Sequence, residues 1–204
     1  MPDATLTTLA TPGWYGKLPN LGDFASRRLP DAFVRRWDRW LQRGMASARS
    51  QLGERWLDAY LVAPILRFWV APGLLGEPGW AGLMMPSVDR VGRHFPLTIA
   101  QAAVPLAAAL AGQPWFRALD AAARQVLDVE FGVDDFERVL AEVPALDPPA
   151  AEAAAGRLAE LARRRSNAAA PGSLWWCDDA VADIRCFAAL PPTAAFASLI
   201  GGAP

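Results

Sequence analysis

Trp80-Ala81-Gly82-Leu83-Met84-Met85-Pro86-Ser87-Val88-Asp89-Arg90-Val91-Gly92-Arg93-His94-Phe95-Pro96-Leu97-Thr98 is an apolar run, a polar turn and the start of a second apolar run. Apolar runs this short, bounded by proline and glycine, suit buried strands better than helices. The stretch predicts strands over Trp80 to Met85 and Phe95 to Val104, joined by a connection over Pro86 to His94. Upstream, Ile65 to Ala71 is a third run, separated from Trp80 by a loop containing Gly73, Gly76, Pro78 and Gly79. Three runs so close along the chain pair most simply as an antiparallel meander.

Further out, the period changes. Phe33, Trp37, Leu41, Met45, Ala48 and Leu52 recur at helical spacing behind Pro30 and Asp31, which suit a helix start. Gly44 within that helix costs about 1 kcal/mol and marks a close approach. Gly53 ends the helix, and Glu54 to Leu61 adds two turns. Trp14 to Leu18 reads as a strand and Pro19 to Phe24 as a turn. Downstream, helices are expected over Trp115 to Val129, Asp134 to Glu142 and Pro148 to Arg165. A hairpin over Leu174–Cys177 and Ile184–Phe187 follows, then a short helix over Pro191 to Leu199. This order predicts an α/β single-domain sandwich over residues 1–204, with a mixed, largely antiparallel sheet of about six strands and helices on both faces.

The 204 residues suffice for a full core, since roughly 70% of the extended surface can be buried at this length. Hydrophobic residues make up 53% and charged residues 20%, which excludes a disordered chain. A net charge of −1 argues against a general nucleic-acid binder. The uncharged stretch His94 to Phe116 is long enough to span a bilayer, but Pro96, Pro105 and Pro114 interrupt it, so no membrane insertion is expected. Met1 to Pro12 has neither a basic nor an apolar leader region. Two cysteines, Cys177 and Cys186, and one histidine, His94, are too few for a disulfide scaffold or a zinc site. No cofactor or metal is expected, and the compartment implied is a reducing, soluble one. Lys17 is the sole lysine; every other basic side chain is an arginine, whose planar fork suits carboxylate and phosphate.

There is no phosphate-binding loop, dinucleotide fingerprint or glycine-flanked nucleophilic serine. Two polar segments stand out instead: one carries Asp23, Phe24, Arg27 and Arg28, the other Ser87, Asp89, Arg90 and Arg93. Asp89 is placed to accept from neighbouring backbone N–H groups. Two readings stay open. In one, Asp23 pairs with Arg90 and Arg93 in a buried network that fixes both loops. In the other, the arginines form a recognition surface, with Trp14, Tyr15, Phe24 and Trp80 as aromatic anchors where exposed.

These segments carry a resemblance. Gly13-Trp14-Tyr15-Gly16-Lys17-Leu18-Pro19 with Leu21-Gly22-Asp23-Phe24, then Trp37-Asp38-Arg39-Trp40-Leu41, then the Trp80–Thr98 stretch, are similar to the type VI secretion-associated TagF family, also called ImpM. The resemblance covers about the first hundred residues and implies an α/β sandwich. It also implies a bacterial, cytosolic accessory regulator, not an enzyme, that restrains type VI secretion after translation. The implied partner is the forkhead-associated scaffold protein of that system, in a pathway parallel to a threonine kinase and phosphatase. The resemblance brings no catalytic residues. Two alternatives are a small hydrolase using Ser87, Asp89 and His94, and a phosphoprotein reader using the arginines directly.

Overall fold

The computed structural model describes residues 11–146, 171–177 and 184–201. Seven strands form one sheet: β1 (Gly13–Gly16), β2 (Ala25–Arg27), β3 (Leu66–Val70), β4 (Trp80–Met85), β5 (Leu97–Ala102), β6 (Ser173–Cys177) and β7 (Arg185–Phe187). Their order is β2-β1-β5-β4-β3-β6-β7, and every neighbouring pair is antiparallel. The β3-β4-β5 meander and the β6-β7 hairpin are those the sequence predicts. The strand beyond the expected six is β2. Its residues, Ala-Ser-Arg, lack an apolar signal because they form an outer edge, paired on one side only with Trp14–Gly16.

Each strand alternates between two cores. Leu66, Phe68 and Val70 of β3, Ala100 of β5 and Trp175 of β6 pack with α1 (Asp31–Leu52) and α2 (Trp56–Leu61). Trp69, Leu83, Ile99, Leu174 and Trp176 pack on the opposite face with α3 (Leu106–Ala111), α4 (Gln113–Gln125) and α5 (Val133–Ala141). The result is a helix–sheet–helix sandwich whose strands are apolar on both faces, which explains why they read as continuous hydrophobic runs. Cys177 and Cys186 sit on opposite faces of this sheet, both half-buried.

The predicted stripe of α1 is its buried face: Phe33, Trp37, Leu41, Met45, Ala48 and Leu52 are all in the core, and Trp40 widens the stripe. The two indoles are satisfied, Trp37 donating to Thr98 Oγ1 at 2.8 Å and Trp40 to the Pro191 carbonyl at 2.9 Å. The close approach at Gly44 is the Phe196 ring, from α6 (Phe196–Leu199). A Cβ built there would lie 2.3 Å from a ring carbon. Gly53 terminates α1, and a 3-10 turn leads into α2. The stretch His94 to Phe116 divides into β5, α3 and the start of α4, and no described helix is long and apolar enough to cross a membrane. The helix expected over Pro148 to Arg165 lies outside the described residues.

Candidate docking surface at one end of the sheet

β1 and β4 finish, and β3 and β5 begin, at the same end of the sheet. The connections 17–24, 62–65 and 86–96 therefore meet there, bringing Asp23 and Phe24 of the first polar segment to the second, whereas β2 carries Arg27 and Arg28 to the opposite end, beside the start of β1.

Asp89 organises it. The turn starts as Asp89 and Arg93 close on each other: Asp89 N–H donates to the Arg93 carbonyl at 3.1 Å, and Gly92 N–H to the Asp89 carbonyl at 3.0 Å. Gly92 adopts a φ of 84°, where a Cβ is strained, so glycine permits the reversal. The Asp89 side chain points inward and the residue is 3% exposed. Oδ1 accepts from the N–H groups of Val91 (3.1 Å) and Arg93 (2.8 Å). Oδ2 accepts from Lys17 Nζ and Arg93 Nε, each at 2.7 Å. Burial pushes this carboxyl up. The Lys17 ammonium, the Arg93 N–H, the Arg93 guanidinium and the Val91 N–H together outweigh it and hold the group well below the usual carboxylate range.

The same cluster ties the two loops together. Arg93 Nη2 donates to the Gly22 carbonyl, and Arg90 N–H donates to the Leu21 carbonyl at 2.9 Å. Ser87 is buried; its hydroxyl donates to the Lys17 carbonyl at 2.7 Å. The Tyr60 hydroxyl closes on Ser87 twice, accepting from its N–H and donating to its carbonyl, both at 2.9 Å. Burial pushes the Tyr60 phenol well up, against the opposing Ser87 hydrogen bond. His94 lies edge-on to the Tyr60 and Trp56 rings, with centroids 5.5 and 6.0 Å away. No hydrogen bond joins Ser87, Asp89 and His94 to one another among the described residues, so they do not form a nucleophile–base relay in this geometry. Lys17 and Tyr60, central here, were not among the residues the sequence singled out. The signal for Lys17 was its being the one lysine in an arginine-only chain.

The pairing of Asp23 with Arg90 and Arg93, one of the two readings left open, is not formed. Asp23 is exposed and its carboxylate accepts from the adjacent Phe24 N–H at 2.8 Å. Asp89, four residues from Arg93, takes that arginine instead. Arg28 is a clamp: at φ 60° it donates to the Pro12 carbonyl from Nε (3.1 Å) and Nη2 (2.9 Å), and its guanidinium pairs with Glu137. Glu137 also accepts from the Trp14 indole. Arg27 is exposed on the edge strand; it donates to the adjacent Ser26 carbonyl and adds its charge to those that favour ionised Glu137. Of the four proposed aromatic anchors, Trp14, Tyr15 and Trp80 are core residues, because β1 and β4 are buried on both faces. Only Phe24 is open, at 42% exposure, stacked on Tyr15 and edge-on to Phe95, with Lys17 Nζ 4.9 Å from its ring centroid.

What faces solvent is thus a subset. The Arg90 side chain is exposed and has no hydrogen bond or ion pair among the described residues, and Phe24 presents an open ring face. The same end of the sheet also holds an open cleft of about 380 Å³, whose lining includes Leu61, Val62, Pro64, His94, Arg124 and Leu127. Leu61 is 60% and Val62 81% exposed, an apolar rim next to a rigid polar turn. The described residues contain no group of three or more histidine, cysteine, aspartate or glutamate side chains placed to hold a metal ion. The arrangement offers docking chemistry: the Arg90 guanidinium and the exposed Phe24 ring on loops locked from beneath, and a cleft with an apolar rim at the same end of the sheet.

Residues 13–143 match the TagF N-terminal domain, described as type VI secretion system-associated. Among solved structures, the chain is similar to the crystal structure of PA0076 from Pseudomonas aeruginosa PAO1. The identity is 35% and the TM-score 0.75, over 93% of this chain and 94% of that one. No curated protein matches the chain.

Proposed function

The chain belongs to the TagF family of type VI secretion system-associated proteins, and on that premise we propose that it is an accessory regulator that restrains this secretion after translation by binding another protein. The forkhead-associated scaffold of the system is the partner proposed, and the cytoplasm the place. The observation that supports a docking role most directly is the division of labour at the sheet end. Asp89, Lys17, Ser87 and Tyr60 lock the loops from within, while Arg90 and Phe24 on those same loops stay available. A preorganised loop loses little conformational freedom on binding, and arginine and aromatic side chains make good interface anchors. In this reading the Leu61–Val62 rim and its cleft receive an apolar side chain of the scaffold.

The test is direct titration of purified scaffold by the chain. Wild type binds. Arg90→Ala with Phe24→Ala weakens binding roughly tenfold or more, the usual effect of removing anchors at an interface centre. Treating the scaffold with phosphatase leaves the affinity unchanged, whereas loss of binding on that treatment favours a phosphoprotein reader. Absence of binding by the wild-type chain contradicts the partner.

A further inference from the structure

The solvent face of α1 carries a row of arginines remote from the buried lock. Arg35, Arg39 and Arg43 are exposed and spaced four residues apart, with Arg36 beside them. At about 1.5 Å per residue the row is about 12 Å long. It runs along the crest of the helix, opposite the Phe33–Trp37–Leu41 stripe that faces the sheet. Arg36 is partly occupied by the Gly73 and Leu74 carbonyls, and Arg35 reaches only the exposed Asp31, at 3.8 Å. Arg39 and Arg43 have no hydrogen bond or ion pair among the described residues. The second aspartate of the helix does not neutralise them. Asp38 accepts from the Tyr15 hydroxyl at 2.6 Å and from Gln42 Nε2 at 2.7 Å. In a chain with net charge −1, this is a local basic face.

We propose that the Arg35–Arg39–Arg43 face of α1 is a second interaction surface, one that receives an acidic helical segment of a partner protein. Carboxylates four residues apart on a helix repeat at the spacing of the arginines, and each planar guanidinium matches a carboxylate through paired N–H donors. The observations select this occupant over others. A membrane surface needs apolar side chains to insert, and the other outward positions nearby, Ala32, Gln42, Ala46, Arg49 and Ser50, supply none larger than alanine. Nucleic acid disfavours a row this short, flanked by Asp31 on a net acidic chain. A second copy offers carboxylates on both sides of the sheet, Glu54 and Asp58 on the side of α1 and Asp128, Glu130, Asp134 and Glu142 on the other, but no described stretch sets three of them four residues apart to match the row.

The experiment uses the full chain labelled with 15N, following the arginine Nε–Hε resonances, which respond to weak binding. The probe is an alanine-rich helical peptide with glutamates at i, i+4 and i+8; its twin carries glutamine there. The Arg35, Arg39 and Arg43 signals shift saturably with the glutamate peptide at low salt and not with the glutamine twin. The apparent affinity falls at least tenfold in Arg39→Glu/Arg43→Glu, whose melting temperature stays at the wild-type value because both sites are exposed. Arg90→Ala leaves the titration unchanged, so this surface stands or falls separately from the sheet-end site. Four results overturn the proposal: equal response to both peptides, equal binding by the charge-reversed variant, stronger binding of single-stranded DNA or phosphatidylserine vesicles than of the peptide, or self-association at low salt.

Discussion

Asp89 remains ionised while almost fully buried because Lys17, Arg93 and two backbone N–H groups converge on its two oxygens. Removing one partner of a buried pair leaves the other charge stranded, which costs far more than an exposed ion pair returns. Lys17→Met is therefore expected to lower the melting temperature by more than about 5 °C. Arg90→Ala, next to Asp89 but with its side chain outside the lock, is expected to leave it unchanged. Thermal melts of the two variants check the contrast. The same chemistry sets an acid limit. The Asp89 carboxyl is held below its ordinary range as described, and that of Glu137 also lies low: burial raises it, but the Arg28 and Trp14 donors prevail. A carboxyl depressed by folding adds stability above its unfolded value, and that stability is lost as pH falls through the folded value. Stability is expected to hold from neutral pH to about pH 4 and to decline below it. A melting temperature unchanged down to pH 2 contradicts the lock.

Among the elements, α1 is the most fully legible in the sequence, because one face of it meets a flat sheet and a 3.6-residue period records that directly. Even the role of Gly44 shows there, as the space that the Phe196 ring occupies. Gly44→Ala improves helix propensity yet drives a methyl into that ring, so the net effect is a loss of about 1–3 kcal/mol, measured by urea denaturation. An equal or raised stability contradicts the packing. The 86–94 turn was only half legible. That Asp89 serves the local backbone follows from turn chemistry, which acts over a few residues. That Lys17, on β1's exit, joins Arg93 of the same loop as a second cationic partner depends on which strands lie side by side. β1 reaches β4 only through β5, a pairing that no local pattern encodes. β2 was missed for a related reason: an edge strand of three residues has no burial pattern to betray it.

Across the whole molecule, seven antiparallel strands between two helical layers bury nearly every aromatic side chain. This is why Trp14, Tyr15 and Trp80 are not available as anchors. The layered fold follows from the order of apolar runs, whereas the working surface depends on which polar side chains the core leaves over. Of the eight polar-segment residues singled out in the sequence, Ser87, Asp89 and Arg28 are spent on internal contacts. Arg93 divides its guanidinium between Asp89 and Gly22, and Asp23, Phe24, Arg27 and Arg90 are exposed. The most direct measurement of a docking role is isothermal titration of the purified forkhead-associated scaffold with wild-type chain and with folded Arg90→Ala/Phe24→Ala. Saturable binding by wild type that weakens roughly tenfold or more in the variant is the result expected. Equal affinity of the two proteins, with both melting at the same temperature, contradicts the assignment of this surface.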